Sequence, residues 1–277
     1  MKERLSKTEK IILDKLDKIL AGQNPGNPAT FLEDKLWQTL KKFEYSEEKR
    51  AKNQENIHRL MSDISHQIKT PLSALLLHLE LASDESLSRE EQTAALKECK
   101  EQANKISFLS ETMFKVVKLE NGLISVKRTE SDIVKTVEEA VVAVKPAIEL
   151  KSLALDLDLP EYLTVPHDPM WTKEALINIF DNAVKYTNTG GITVKTEKGA
   201  IYTKIDIADT GIGISSDDYT KIFTRFYRVR ASGTERIEGT GLGLFIAREI
   251  LRQQNGNITV SSKTGQGSVF AIFLQNY

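Results

Sequence analysis

The heptapeptide Ser65-His66-Gln67-Ile68-Lys69-Thr70-Pro71 places a histidine, two hydroxyl residues and a proline inside a stretch whose apolar residues recur at helical spacing. Ile57, Met61, Ile64, Ile68, Leu72, Leu75 and Leu79 are separated by 4, 3, 4, 4, 3 and 4 positions, a heptad-like stripe with one extra residue just before the proline. Proline in a helix interior removes an amide donor and clashes with the carbonyl one turn back, at a cost of about 3 kcal/mol. Something must offset that cost, and a bent helix that presents an exposed imidazole is one candidate; a surface histidine beside a chance kink is the plainer reading.

The stripe needs a partner helix, and one follows. Ser83-Asp84-Glu85-Ser86 breaks the pattern, and Ser88-Arg89-Glu90-Glu91 is a capping box that opens a second helix. Its stripe runs through Ala95, Cys99, Gln102, Ile106, Leu109, Met113 and Val116 to a stop at Asn121-Gly122. Two long helices and a short turn bury too little apolar surface to be stable alone, so the hairpin is expected to dimerise into a four-helix bundle. Upstream, Ile11 to Leu20 reads as a short helix and Gly22 to Pro28 as a linker. A helix from residue 31 to 82 would be roughly 75 Å long, too long for one compact core.

After Gly122 the texture changes. Leu123–Arg128 alternates like a strand, Ser131-Asp132 caps a helix to about Leu150, and Leu153–Leu159 alternates strictly. Asp168-Pro169 opens a helix to Tyr186; strands Ile192–Glu197 and Ile201–Ala208 follow. Gly241 to Asn255 reads as a helix closed by Gly256, and strands Ile258–Ser262 and Ser268–Leu274 end the chain. This order predicts a mixed α/β sandwich with one sheet covered on one face.

Composition narrows the function. A chain of 277 residues exceeds the usual single domain, so two or three units are expected. Lys+Arg at 38 against Asp+Glu at 39 leaves a net charge of -1, with no global field to attract nucleic acid or a membrane surface. The single cysteine, Cys99, cannot form an internal disulfide, and 4 histidines spread through the chain argue against a zinc cluster; both fit a reducing compartment. No run approaches the roughly 18 apolar residues of a membrane span.

Four clusters between residues 168 and 270 carry chemistry. Asn178, Asn182 and Lys185 fall at i, i+4 and i+7 on one helix face. A carboxamide oxygen suits a magnesium ion that keeps most of its waters, and a lysine beside it suits phosphate. Asp209-Thr210-Gly211-Ile212-Gly213 follows a strand: a carboxylate there can accept from an exocyclic amine, and the glycines admit a flat ligand. Gly239-Thr240-Gly241-Leu242-Gly243 opens a helix and offers amides to an anion, without the context of a dinucleotide fingerprint or a Walker loop. Between them Ile222–Arg228 supplies an aromatic anchor, including Tyr227, for a polar loop suited to a nucleotide lid. Gly265-Gln266-Gly267-Ser268 is a hairpin turn with a weaker case for lining the same pocket.

Taken in order, His66 to Pro71, Asn178 to Tyr186, Asp209 to Gly213, Phe223-x2-Phe226 and Gly239 to Gly243 resemble the sensor histidine kinases of two-component systems over residues 55–277. The resemblance implies a multidomain chain. Residues 1–54 would form a signal-transmitting helix and linker. Residues 55–122 would be an all-α antiparallel hairpin for homodimerisation and histidine phosphotransfer, and residues 123–277 an α/β sandwich that binds ATP, of the gyrase and MutL type. It further implies His66 as phosphoacceptor, Asn182 on Mg²⁺ with Asn178 assisting, Lys185 on phosphate and Tyr186 over the adenine. Asp209 would read the adenine amine, with Gly211 and Gly213 beside the base. Gly239, Gly241 and Gly243 would fix the lid near the phosphates, Tyr227 would contribute to the nucleotide site, and Arg228 would meet the γ-phosphate when the domains close. The implied partner is a response-regulator receiver domain, with no nucleic acid, and the implied location is the cytoplasmic portion of a membrane protein tethered through an N-terminal sensor region.

One position departs from the family pattern. A Glu or Asp usually follows the histidine; here it is Gln67, whose carboxamide can fix an imidazole tautomer but cannot take its proton at neutral pH. Thr70, one turn on, matches the position that orients water to dephosphorylate the regulator. His58 and His78 are rival acceptors without the Thr-Pro context. A nucleotide-binding dimeric scaffold without transfer is the reading from a different class.

Overall fold

A computed structural model describes residues 62–120, 125–229 and 239–277. The expected N-terminal helix and linker, His58, most of the 31–82 helix, the Asn121-Gly122 stop and the lid loop from 230 to 238 lie outside the described residues. The chain divides into two units, Met1–His66 and Gln67–Tyr277. In the first, residues 62–66 are helical and His66 is exposed.

The second unit opens with helical residues 67–82 (α1), which run through a buried Pro71 without ending. Helix α2, Arg89–Glu120, starts where the capping box requires. The Ser88 amide donates to Glu91 Oε2 at 2.9 Å and the Glu91 amide donates to Ser88 Oγ at 3.3 Å, the reciprocal pairing that satisfies two orphan donors. Ala95, Cys99, Leu109, Met113, Val116 and Leu119 of α2 are buried, whereas Leu72, Leu76, Leu79, Leu96 and Phe114 stay exposed on the two helices.

After the hairpin come β1 (Thr129–Asp132), α3 (Ile133–Leu150), β2 (Ala154–Asp158), β3 (Thr164–His167), α4 (Pro169–Tyr186), β4 (Gly191–Lys198), β5 (Tyr202–Asp209), α5 (Gly243–Gln253), β6 (Asn257–Ser262) and β7 (Ser268–Gln275). The main sheet has the order β2-β4-β5-β7-β6; only β2 and β4 pair in parallel. This is a helical hairpin followed by an α/β domain. Alternation buries Thr203, Ile205, Ile207 and Asp209 on the same side of β5, facing the layer of α3, α4 and α5. The chemistry-bearing carboxylate thus emerges from the core side of a strand end.

Three expectations change. Residues 125–128 are not a strand; the first strand is β1, which pairs antiparallel with β3, an element that Pro166 had disguised. Arg128 instead reaches the chain end, donating from Nη2 to Gln275 O at 2.8 Å and Tyr277 O at 3.0 Å. Helix α5 begins at Gly243, not Gly241, because Gly241 has φ +70, a left-handed conformation that a right-handed helix cannot continue. The helix starts themselves match: Asp132 accepts from the Val134 amide and Asp168 from the Trp171 amide, each satisfying a free first-turn donor. Among the described residues no helix is long and apolar enough to cross a membrane.

Candidate functional site

A cleft of about 490 Å³ opens beside α4, within the size range of small-molecule sites. Helix α4 buries Ala175, Leu176, Ile179, Phe180 and Ala183 in the core, which turns its flank of Asn178, Asp181, Asn182 and Lys185 into the cleft wall. The 3.6-residue period accounts for all four. Asn178 Nδ2 donates to Glu174 O at 2.8 Å, which leaves its carbonyl oxygen aimed at Gly243: a Cβ there would lie 2.9 Å from Asn178 Oδ1. Lys185 Nζ pairs with Asp181 Oδ2 at 2.5 Å, one turn back.

Asp209 forms the floor. Its Oδ1 accepts from the Gly211 amide at 2.8 Å. Burial pushes its carboxyl above the usual aspartate range, opposed by the Gly211 and Ser268 amides, which favour the anion. The loop after it lies flat against the end of α4: the Ile212 amide donates to Tyr186 O at 3.2 Å, and a Cβ on Gly211 would come within 2.5 Å of that same oxygen. Gly213 has φ +70 and its missing Cβ would overlap Lys263 O, so glycine is required at both positions.

The aromatic segment and the third glycine cluster are stitched together. The Phe226 amide donates to Gly241 O at 3.0 Å, and a Cβ on Gly241 would fall 2.7 Å from Phe226 C. Tyr227 donates from its hydroxyl to Asp218 Oδ1 at 2.6 Å, which holds its phenol above the ordinary range. Helix α5 has no side chain capping its N-terminus, and its first residues Gly243 and Leu244 line the cleft, so first-turn amides are left for an anion. Gly239 differs from its two neighbours, since a Cβ there meets nothing within 4 Å.

The cleft brings together Asn178, Asn182, Lys185, Tyr186, Asp209 and Gly213, and likewise Tyr227, Arg228, Gly239, Gly241 and Gly243. Gly211 is not among the lining residues. His66, Gln67 and Thr70 are exposed helical residues and are not among those that line it. Ser268 lines the cleft as the weaker reading of its turn anticipated. Other participants carried no signal in the sequence. Phe108, Thr112 and Lys115 of α2 line the cleft, and Lys115 Nζ pairs with Glu174 Oε1 at 2.6 Å, a contact across 59 positions. The Asp181–Lys185 pair was legible as i, i+4 spacing.

The donors present fit a phosphate-bound magnesium ion. Asn182 lines the cleft and its carboxamide has no hydrogen-bond partner among the described residues. No group of three or more His, Cys, Asp or Glu side chains able to hold a metal occurs among the described residues. Any ion here would therefore complete its shell from phosphate and water.

Residues 57–122 match the His Kinase A (phospho-acceptor) domain, and residues 167–277 match the histidine kinase-, DNA gyrase B- and HSP90-like ATPase. The chain is 27% identical over 250 residues to the signal transduction histidine-protein kinase BaeS of Escherichia coli, covering 90% of this chain and 53% of that protein. It spans about half or less of such longer curated relatives. Among solved structures, the Acinetobacter baumannii histidine kinase AdeS superposes with a TM-score of 0.63 at 25% identity, covering 76% of this chain and 98% of that one. The histidine kinase ThkA in complex with the response regulator protein TrrA has the same fold, with a TM-score of 0.68 at 20% identity, covering 84% and 66%.

Proposed function

Because this chain belongs to the histidine kinases, we propose that it phosphorylates itself on His66 from Mg²⁺-ATP and passes the phosphoryl group to an aspartate of a response regulator. The observation that carries the reading is the convergence of Asn178, Asn182, Lys185, Asp209 and Gly241 on one cleft. Their chemistry divides along it: an acceptor for an amine at Asp209, and carboxamides, a lysine and helix amides suited to a polyphosphate at the other side. Magnesium, held through Asn182, would neutralise charge that develops on the transferring group.

In the transfer, the imidazole nitrogen of His66 forms the bond to the γ-phosphorus as the bond to the ADP oxygen breaks. Gln67 holds the ring by hydrogen bonding, and the ring proton goes to water, since a carboxamide is no base. Lys185 leaves Asp181 to meet phosphate, Tyr186 covers the base, and Arg228 meets the γ-phosphate on closure. Catalysis is positioning plus electrostatic stabilisation. Thr70 orients the water that removes phosphate from the regulator.

The exposed leucines of α1 and α2 support a homodimer built as a four-helix bundle. We take residue 122 as the boundary of the phosphotransfer hairpin, with ATP binding in 123–277 and signal transmission in 1–54. The ThkA–TrrA complex supports a receiver domain as partner, and the proposal includes tethering to a membrane outside the described residues. Incubation with γ-labelled ATP tests the reading. ATP binding together with acid-labile, base-stable label is expected, whereas binding without label would make the chain a nucleotide-binding scaffold.

A further inference from the structure

Lys151 follows the last residue of α3 and caps it, its amide donating to Ala147 O. Its side chain serves a different helix. Nζ donates to Val184 O at 2.7 Å, Lys185 O at 3.0 Å and Thr187 O at 3.1 Å. These carbonyls belong to the C-terminal end of α4, where the last turn has no intrahelical donors and carries partial negative charge. One ammonium group with three donors fills that role, through charge-assisted bonds.

The end of α4 is also the wall of the cleft. Lys185 and Tyr186 line it, as does Ile212, whose amide is bonded to Tyr186 O. The carbonyls held by Lys151 flank Tyr186 on both sides in the chain. Lys151 itself does not line the cleft.

We propose that Lys151 is a positioning residue for the nucleotide: by holding the carbonyl end of α4 it fixes Tyr186 and, through Tyr186 O, the Ile212 backbone against which the base packs. This inference rests on the ATP reading above. Its effect falls on the base-facing wall, which is the same in the ground and transition states, so it acts on binding and not on the transfer step.

The test is autophosphorylation kinetics and nucleotide binding on the chain with Lys151→Met, Lys151→Arg and, as control, Lys145→Met. Lys145 is an exposed lysine of the same helix, 3.8 Å from Glu149. Lys151→Met is expected to raise KM for ATP about tenfold with kcat at saturation within about twofold, the signature of lost uniform binding. Lys145→Met should stay within about twofold of wild type in both constants, and Lys151→Arg, which keeps the charge but not three donors on one atom, should fall between wild type and Lys151→Met. Lys151→Gln, which keeps N–H donors without charge, provides the same comparison should the methionine variant fail to fold. Unchanged KM in folded Lys151→Met or Lys151→Gln, or a fall in kcat at constant KM, overturns the inference alone. Absence of ATP binding by the wild-type chain overturns the functional reading and this inference with it.

Discussion

Asn178 Oδ1 stands 2.9 Å from the point a Cβ on Gly243 would occupy, so the asparagine flank of α4 and the glycine start of α5 are fitted to each other. Side chain and missing side chain form one surface. The three glycines of the cluster are therefore not equivalent.

Gly243→Ala would displace the Asn178 carboxamide from its place beside α5. Gly241→Ala combines a left-handed φ of +70, worth about 1–2 kcal/mol, with overlap on the Phe226 backbone. Both are expected to weaken nucleotide binding and label transfer about tenfold or more, that is by about 1.4 kcal/mol or more. Gly239→Ala, which meets nothing, should bind and transfer like wild type. Titration of a fluorescent ATP analogue against the three variants checks the order.

Asp209 is buried with its pKa raised by desolvation. The sign follows: a raised acid contributes stability that is present below its unfolded value of about 3.8 and lost as pH rises through the folded value. Asp209→Asn removes that cost, so the nucleotide-free variant should unfold at the same temperature as wild type or higher. ATP affinity should nevertheless fall about 10- to 100-fold, the worth of a hydrogen bond to a charged group. Wild-type affinity should decline on acidification at a higher pH than an ordinary aspartate would cause. Thermal melts and isothermal titration between pH 5 and pH 8 read both effects.

His167 is fully buried, with Nδ1 2.8 Å from Val165 O and Nε2 2.9 Å from Thr136 Oγ1. The network assigns the neutral ring, Nδ1–H donating to Val165 O and Nε2 accepting from Thr136. Burial lowers its pKa, against the opposing pull of the Val165 bond and the charges of Asp168 and Asp132. A lowered histidine contributes stability above its unfolded value of about 6.5 that is lost as pH falls through the folded one. Denaturant unfolding from pH 7 down to pH 5 should show that loss, and His167→Gln should flatten it.

Gln67→Glu places a carboxylate next to His66. A base that takes the ring proton contributes roughly 10²-fold or more in such reactions. The variant should form label at least about tenfold faster than wild type at equal ATP affinity, since Gln67 lies outside the cleft lining. Initial rates of phosphorylation at saturating ATP check it.

How far the sequence could be read depended on the range of the interaction. Helix starts at Ser88, Asp132 and Asp168 were legible because a cap is set by residues two or three positions apart. The cleft face of α4 was legible because a helix repeats every 3.6 residues. By contrast β1 and β3 hid behind Glu130, Asp132 and Pro166, poor strand formers in segments that pair only because the fold brings them together. Lys151 carries no signal in the sequence, since its acceptors lie 33 to 36 positions away. Lys115 was equally silent, its partner Glu174 arriving from another helix. Gly239 and Gly241 looked alike in sequence and differ in what surrounds them.

His66→Gln tests the central claim most directly. Wild-type chain and variant are incubated with γ-labelled ATP and Mg²⁺, and protein-bound label is measured after acid and after base. Acid-labile, base-stable label is expected on the wild type and none on His66→Gln, with ATP binding unchanged in the variant. Label that persists on His66→Gln would contradict the claim.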